Sequence, residues 1–103
     1  MLQAYRLTKS FPSKERYGLT SQLRRAVLSV TTNIAEGSKR HTNPEYSRFL
    51  NIAEGSLAEA EYLLMVSRDL GYLTAPATSP ALAEAEEIAR MLNSLRDKVG
   101  KAL

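Results

Sequence analysis

Six cations carry most of the chemistry available to this 103-residue chain: Lys14, Arg16, Arg24, Arg25, Lys39 and Arg40, all within the first 40 residues. Ammonium and guanidinium groups hold phosphate without any base-reading motif. Such a set predicts attraction to RNA or DNA through backbone and shape, not through sequence. Plainer uses exist for the same residues. Lys39 and Arg40 suit the C-terminal end of a helix, where the dipole favours positive charge, and Arg24 and Arg25 can pair with Glu54 or Glu61 on a neighbouring helix. Residues 1–40 hold eight Lys and Arg against Glu15 and Glu36, whereas residues 41–103 hold six against nine Asp and Glu. A basic half joined to an acidic half predicts an anionic partner, attraction between subunits, or pairing within one fold.

Catalysis finds few side chains to work with. His41 is the only histidine and lacks the Glu-x-x-His partner of a di-iron bundle. With no cysteine and two aspartates, the ligands of thiolate or multi-histidine metal sites and the members of a nucleophilic triad are missing. Glu84, Glu86 and Glu87 read as the solvated start of a helix. The expectation is a protein that is not an enzyme and takes neither cofactor nor metal. The absence of cysteine suits a reducing cytoplasm. The opening MLQAYRLTKSFP has no signal-peptide pattern, and no apolar run approaches the roughly 20 residues of a bilayer span, so no membrane partner is expected.

A second set of residues repeats. Asn33-Ile34-Ala35-Glu36-Gly37-Ser38 recurs letter for letter as Asn51-Ile52-Ala53-Glu54-Gly55-Ser56. In the first copy Gly37 fits a helix C-cap. In the second, Gly55 falls inside a helix, where it costs about 1 kcal/mol relative to alanine unless a close helix–helix approach offsets it. The alternative is functional: Asn33 and Glu36, with Asn51 and Glu54, line a polar seam or a subunit contact.

The elements that must position these residues are helices. Phe11-Pro12-Ser13, then Gly37-Ser38 with Asn43-Pro44, then Gly71 through Pro80, divide the chain into four segments. Helices are predicted over about 2–10, 19–37, 44–70 and 80–100. The first is short, with Leu2, Tyr5 and Leu7 near one face. Leu19, Leu23, Ala26, Val27, Val30 and Ile34 stripe the second. The third begins with Asn43 as N-cap and Pro44 at N1, carries a near-heptad line from Tyr46 to Leu64, and ends at Gly71. A second line, Phe49, Ile52, Leu63, Val66 and Leu70, widens its apolar surface. The fourth begins with Ser79 as N-cap and Pro80 at N1, and Lys98 and Lys101 sit at its basic end. No segment alternates as a strand would. The fold class is all-α: one domain, residues 1–103, an antiparallel up-down four-helix bundle with a short first helix.

The run Phe11-Pro12, Glu15-Arg16-Tyr17-Gly18-Leu19-Thr20-Ser21-Gln22-Leu23-Arg24-Arg25-Ala26 and Asn33-Ile34-Ala35-Glu36-Gly37 resembles the signature of a bacterial family. Its members are small four-helix-bundle proteins encoded by intervening sequences in 23S ribosomal RNA genes. Tyr46-Ser47-Arg48-Phe49-Leu50, Gly55-Ser56-Leu57-Ala58-Glu59 and Leu70-Gly71-Tyr72-Leu73 extend the resemblance over essentially the whole chain. It implies assembly into a homo-oligomeric ring, a pentamer. The family is related to the basic, pentameric accessory protein of diversity-generating retroelements, which associates with a reverse transcriptase and nucleic acid. Partners implied are therefore other copies of the chain, RNA or DNA, or a protein; a protein-interaction scaffold that binds no nucleic acid is the competing reading. Family members usually have a first helix that extends about two turns or more ahead of the equivalent of Tyr5, whereas Met1 stands close to that position here, a start either trimmed or naturally short. The expectation that follows is a partly uncovered groove along the other helices, covered by neighbouring subunits.

Overall fold

The computed structural model of the protein describes residues 2–101. Met1 lies outside the described residues, as do the side chains of Leu2 and Lys101, which had been assigned to the first helix's apolar face and the last helix's basic end. Four α-helices follow in order: α1 (Leu2–Thr8), α2 (Leu19–Ser38), α3 (Asn43–Asp69) and α4 (Ala75–Lys101). A single 3₁₀ turn at Ser13–Glu15 lies between α1 and α2. No strand occurs among the described residues. The 46 Å long axis of the molecule is close to the length of α3, whose 27 residues rise about 40 Å at 1.5 Å each. The all-α four-helix architecture expected from the periodicities is the one observed.

α3 is the central element, packed along both α2 and α4, while α1 rests against α2 and α4. The near-heptad line explains this: Leu50, Ala53, Leu57, Ala60 and Leu64 are at most 2% exposed. The second line fares unevenly, because Leu63 is buried while Ile52 and Leu70 face outward. On α2 the expected stripe is buried from Leu19 to Val30, with Ile34 packed at the edge of the core.

Helix ends depart from expectation in instructive ways. Thr42, not Asn43, is the N-cap of α3: its backbone is extended (φ −126°, ψ 151°) and its hydroxyl accepts the Glu45 N–H at 3.3 Å. α4 begins well before Pro80. Thr74 caps it by accepting the Ala77 N–H at 3.2 Å, and Thr78, fully buried, gives its hydroxyl to the Thr74 carbonyl at 2.6 Å. Pro80 therefore lies inside the helix and removes one backbone bond on an exposed turn. Gly37 does not cap α2. It is a buried residue of the last turn, and Lys39 is the C-cap. Gly71 behaves as expected, with φ +82° after the end of α3.

α1 is shorter than predicted and uses another face. Ala4 and Thr8 are buried, Leu7 packs at the edge, and Tyr5 is 38% exposed. Polar contacts anchor it: the Thr8 hydroxyl donates to the Ala4 carbonyl at 2.9 Å and accepts from Arg24 Nε at 2.9 Å, while the Arg24 guanidinium lies 5.1 Å from the Tyr5 ring centre. The connection to α2 is pinned to the α3–α4 turn by Phe11 and Tyr72, whose ring centres are 5.5 Å apart, and by the Tyr72 hydroxyl donating to Glu15 at 2.7 Å.

The core divides accordingly. Around α1, four helices contribute one cluster that includes Ala4, Phe11, Leu23, Leu64 and Ala81. Beyond the start of α1, the second cluster is built by α2, α3 and α4 alone, from Val30, Leu50, Ala53, Leu57, Ala85 and Leu92. There α2 and α4 leave a groove of about 460 Å³, lined by Val30, Thr31, Ile34, Ile88, Met91, Leu92 and Leu95.

Candidate nucleic-acid interface

The six cations form two groups separated by the length of α2. Arg16, Arg24 and Arg25 line one groove with Lys9, where the α1–α2 connection crosses the first turns of α2. Lys14, exposed on the 3₁₀ turn, belongs to the same end of the molecule. Lys39 and Arg40 lie at the other end of α2, about 20 Å away for the 14 residues from Arg25 to Lys39. One continuous stripe is therefore not what the fold presents.

In the first group the connection does the positioning. Pro12 and the 3₁₀ turn fold residues 9–18 back over α2, so that Lys9 and Arg16 face Arg24 and Arg25 across a hollow of about 690 Å³. The only carboxylate of this stretch, Glu15, is turned away. The Tyr72 hydroxyl bonded to it, then the Leu19 N–H, hold its pKa below the ordinary glutamate value, with nearby Lys14 adding to the effect. Glu15 is thus ionised and engaged with Tyr72, and the hollow it leaves is lined by cations, hydroxyls and rings. Tyr17 stands 89% exposed at its edge, a surface on which an unpaired base can stack. Arg24 is half-buried and holds α1 through Thr8 and Tyr5, so it shapes the groove as well as charging it. Neither Glu54 nor Glu61 is its partner among the bonds observed; Glu54 is bound by Arg96 instead.

The second group is smaller and built on a ring. The Arg40 and Arg48 guanidinium carbons lie 4.7 and 5.2 Å from the centre of Phe49, so one aromatic side chain gathers two cations beside Lys39.

The two hexapeptides do not meet as one seam. Asn33 donates its amide back along α2, to the Ser29 carbonyl at 2.8 Å and the Ser29 hydroxyl at 3.0 Å; Ser29 in turn bridges to Ser56 on α3 at 2.8 Å. Glu36 is exposed. Asn51 and Glu54 face α4, where Arg96 donates to Asn51 at 3.1 Å and to Glu54 at 2.5 Å, and also to Asn93. Gly37 takes the packing role expected of Gly55, while Gly55 lies inside α3 with nothing packed against it. A Cβ on Gly37 would stand 2.8 Å from that of Phe49 and 3.0 Å from the Tyr46 ring, while a Cβ on Gly55 would meet nothing within 4 Å. The close helix–helix approach is at the first copy, not the second.

Residues outside the sequence-derived set complete the picture. Lys9 joins the groove only because the 9–18 connection folds back, a path with no periodicity to reveal it. Arg48 and Arg96 act across helices and look in the sequence like ordinary helix-surface cations. Among the described residues no group of three His, Asp or Glu side chains is placed to hold a metal ion, and no helix is long and apolar enough to cross a membrane.

No curated protein matches the chain at a significant level. Among solved structures, a protein of unknown function from the S23 ribosomal protein family of Bacteroides thetaiotaomicron is similar, with 23% identity over 90% of each chain and a TM-score of 0.80, a likeness of fold. Residues 1–94 match the model of the 23S rRNA-intervening sequence proteins, and the chain belongs to that family.

Proposed function

We propose that this is a non-catalytic, homo-oligomeric helical-bundle protein of the cytoplasm that binds nucleic acid through the groove between the α1–α2 connection and α2. The observation that carries this reading is the convergence of Lys9, Arg16, Arg24 and Arg25 on one hollow, with Glu15 of the same connection engaged by Tyr72. Four guanidinium and ammonium groups over one exposed ring suit phosphates and a stacked base, without sequence readout. Assembly of subunits, five in the ring that the family resemblance implies, multiplies a weak patch by multivalency.

The test is binding of labelled single- and double-stranded RNA and DNA as a function of salt. Four phosphate contacts on a duplex predict about a hundredfold loss of affinity between roughly 50 and 200 mM salt. Arg16→Glu with Arg25→Glu, both exposed positions, is expected to abolish it with the helical content retained. Absence of binding at low salt, or binding indifferent to that double variant, refutes the reading. Lys39→Glu with Arg40→Glu reports separately on the second group.

The apolar groove between α2 and α4 favours a second reading, a protein-interaction scaffold that contacts no nucleic acid. Unaffected protein partners in a pull-down with the Arg16→Glu, Arg25→Glu variant, together with no nucleic acid in the complex, would select it.

A further inference from the structure

The two groups of cations differ in what their aromatic rings are free to do. At the end of α2 both guanidinium groups lie against Phe49, Arg40 at 4.7 Å and Arg48 at 5.2 Å from the ring centre. That ring is taken by the protein's own charges. At the start of α2, Tyr5 is covered by Arg24 and Phe11 packs on Tyr72. Tyr17 is different. It lines the hollow shared by Lys9, Arg16, Arg24 and Arg25, is 89% exposed, and takes part in none of the ring contacts among the described residues.

This exposed ring is carried on a fixed backbone. The Arg16 N–H donates to the Ser13 carbonyl at 3.1 Å and the Gly18 N–H to the Glu15 carbonyl at 3.0 Å, closing the turn on both sides of Tyr17. The Tyr72 hydroxyl, donating to the Glu15 carboxylate at 2.7 Å, ties the same turn to the α3–α4 connection. An uncovered ring face held beside phosphate-binding groups matches a base whose own faces are free. In a duplex those faces are covered by neighbouring pairs, and a base must be unpaired and unstacked before it can reach the ring. Exposure alone does not make such a platform. Tyr62 on α3 is 64% exposed, but Glu59 lies one turn before it and Glu61 beside it, and both repel phosphate.

We infer that the hollow selects single-stranded nucleic acid, an unpaired base stacking on Tyr17 while the flanking phosphates lie against Lys9, Arg16 and Arg25. Tyr17 sets the preference for a single strand, and the cations set the overall affinity. The Lys39, Arg40 and Arg48 group, its ring already occupied, attracts the phosphates of single and paired strands alike. This rests on the nucleic-acid binding proposed above and names the form of nucleic acid that the site takes.

Fluorescence anisotropy at low salt tests it, with the full chain, a labelled unstructured oligonucleotide and the blunt duplex of the same sequence. The single strand is expected to bind roughly tenfold more tightly, the contribution of one stacked base. Tyr17→Ala should weaken the single strand by that factor and leave the duplex unchanged. Its salt slope should stay the same, because no phosphate contact is lost. Tyr17→Phe keeps the ring and should keep the preference. Tyr62→Ala should move neither affinity, and Lys39→Glu with Arg40→Glu should lower both alike. A 2-aminopurine base in the strand should lose fluorescence on binding the parent protein and not on binding Tyr17→Ala. Circular dichroism checks that each variant keeps its helices. Equal affinity for strand and duplex overturns the stacking assignment and leaves nucleic-acid binding standing. So does a Tyr17→Ala variant that keeps the preference or weakens both ligands alike, or a Tyr17→Phe variant that behaves as Tyr17→Ala does. Failure of either ligand to bind at low salt overturns the proposed function itself.

Discussion

The two copies of Asn-Ile-Ala-Glu-Gly-Ser have identical letters and nearly opposite environments. In the first, Gly37 is buried against Tyr46 and Phe49, Ile34 packs at the core and Ala35 is exposed. In the second, Ala53 is fully buried, while Ile52 is 43% exposed and Gly55 faces open space. Asn33 bonds to its own helix, whereas Asn51 and Glu54 reach Arg96 on α4. Six residues cover less than two turns, so a rotation of the helix about its axis exchanges which of them points inward. On α2 the burial phase is set by Leu23, Val27 and Val30; on α3 it is set by Leu50, Leu57 and Leu64. The hexapeptide follows the phase of the helix that carries it.

That contrast can be broken at four points, each read by chemical denaturation. The largest effect is expected at the alanines: Ala53→Leu overpacks a closed site and should cost about 2–3 kcal/mol, while Ala35→Leu stays within about 0.5 kcal/mol of the parent. Equal effects would mean that the two phases have been misassigned. Gly37→Ala comes next, with a loss of about 1–2 kcal/mol. The contact at Phe49 is to a Cβ, which cannot swing aside, and the clash exceeds the gain in helix propensity. Gly55→Ala should have the opposite sign, a gain of about 0.5–1 kcal/mol, since nothing obstructs the methyl. A loss there would place a neighbouring molecule against Gly55. The smallest effect is at the acids. Glu54→Ala removes a partly exposed pair with Arg96 and should cost about 0.5 kcal/mol, less at high salt, while Glu36→Ala changes almost nothing.

Much of the fold was legible because helix–coil patterning is local. Three long apolar stripes at 3.6-residue spacing and their Gly and Pro punctuation predict the long helices and their order. The positive φ at Gly71 follows from the same reading. Errors gathered at the helix ends, where one hydrogen bond decides between adjacent candidates. Thr42 displaced Asn43 as cap, and burial of Thr78 drew α4 past Pro80 to Thr74. The candidate site was legible in its residue types but not in its grouping. Arg16, Arg24 and Arg25 come together with Lys9 only through the return of the connection over α2, and Lys39 and Arg40 are carried to the other end by the length of that helix.

What the amino-acid order determined by itself is an all-helical chain with a basic first half and an apolar stripe on each long helix. Each of these follows from composition and from contacts within a few residues along the chain. Tertiary structure alone decided which glycine is enclosed, which acids meet Arg96, which cations share a groove, and where the bundle stays open. These depend on the rotation and axial offset of one helix against another. Both are set by the packing of the whole core, and an identical hexapeptide therefore takes two different parts in one molecule.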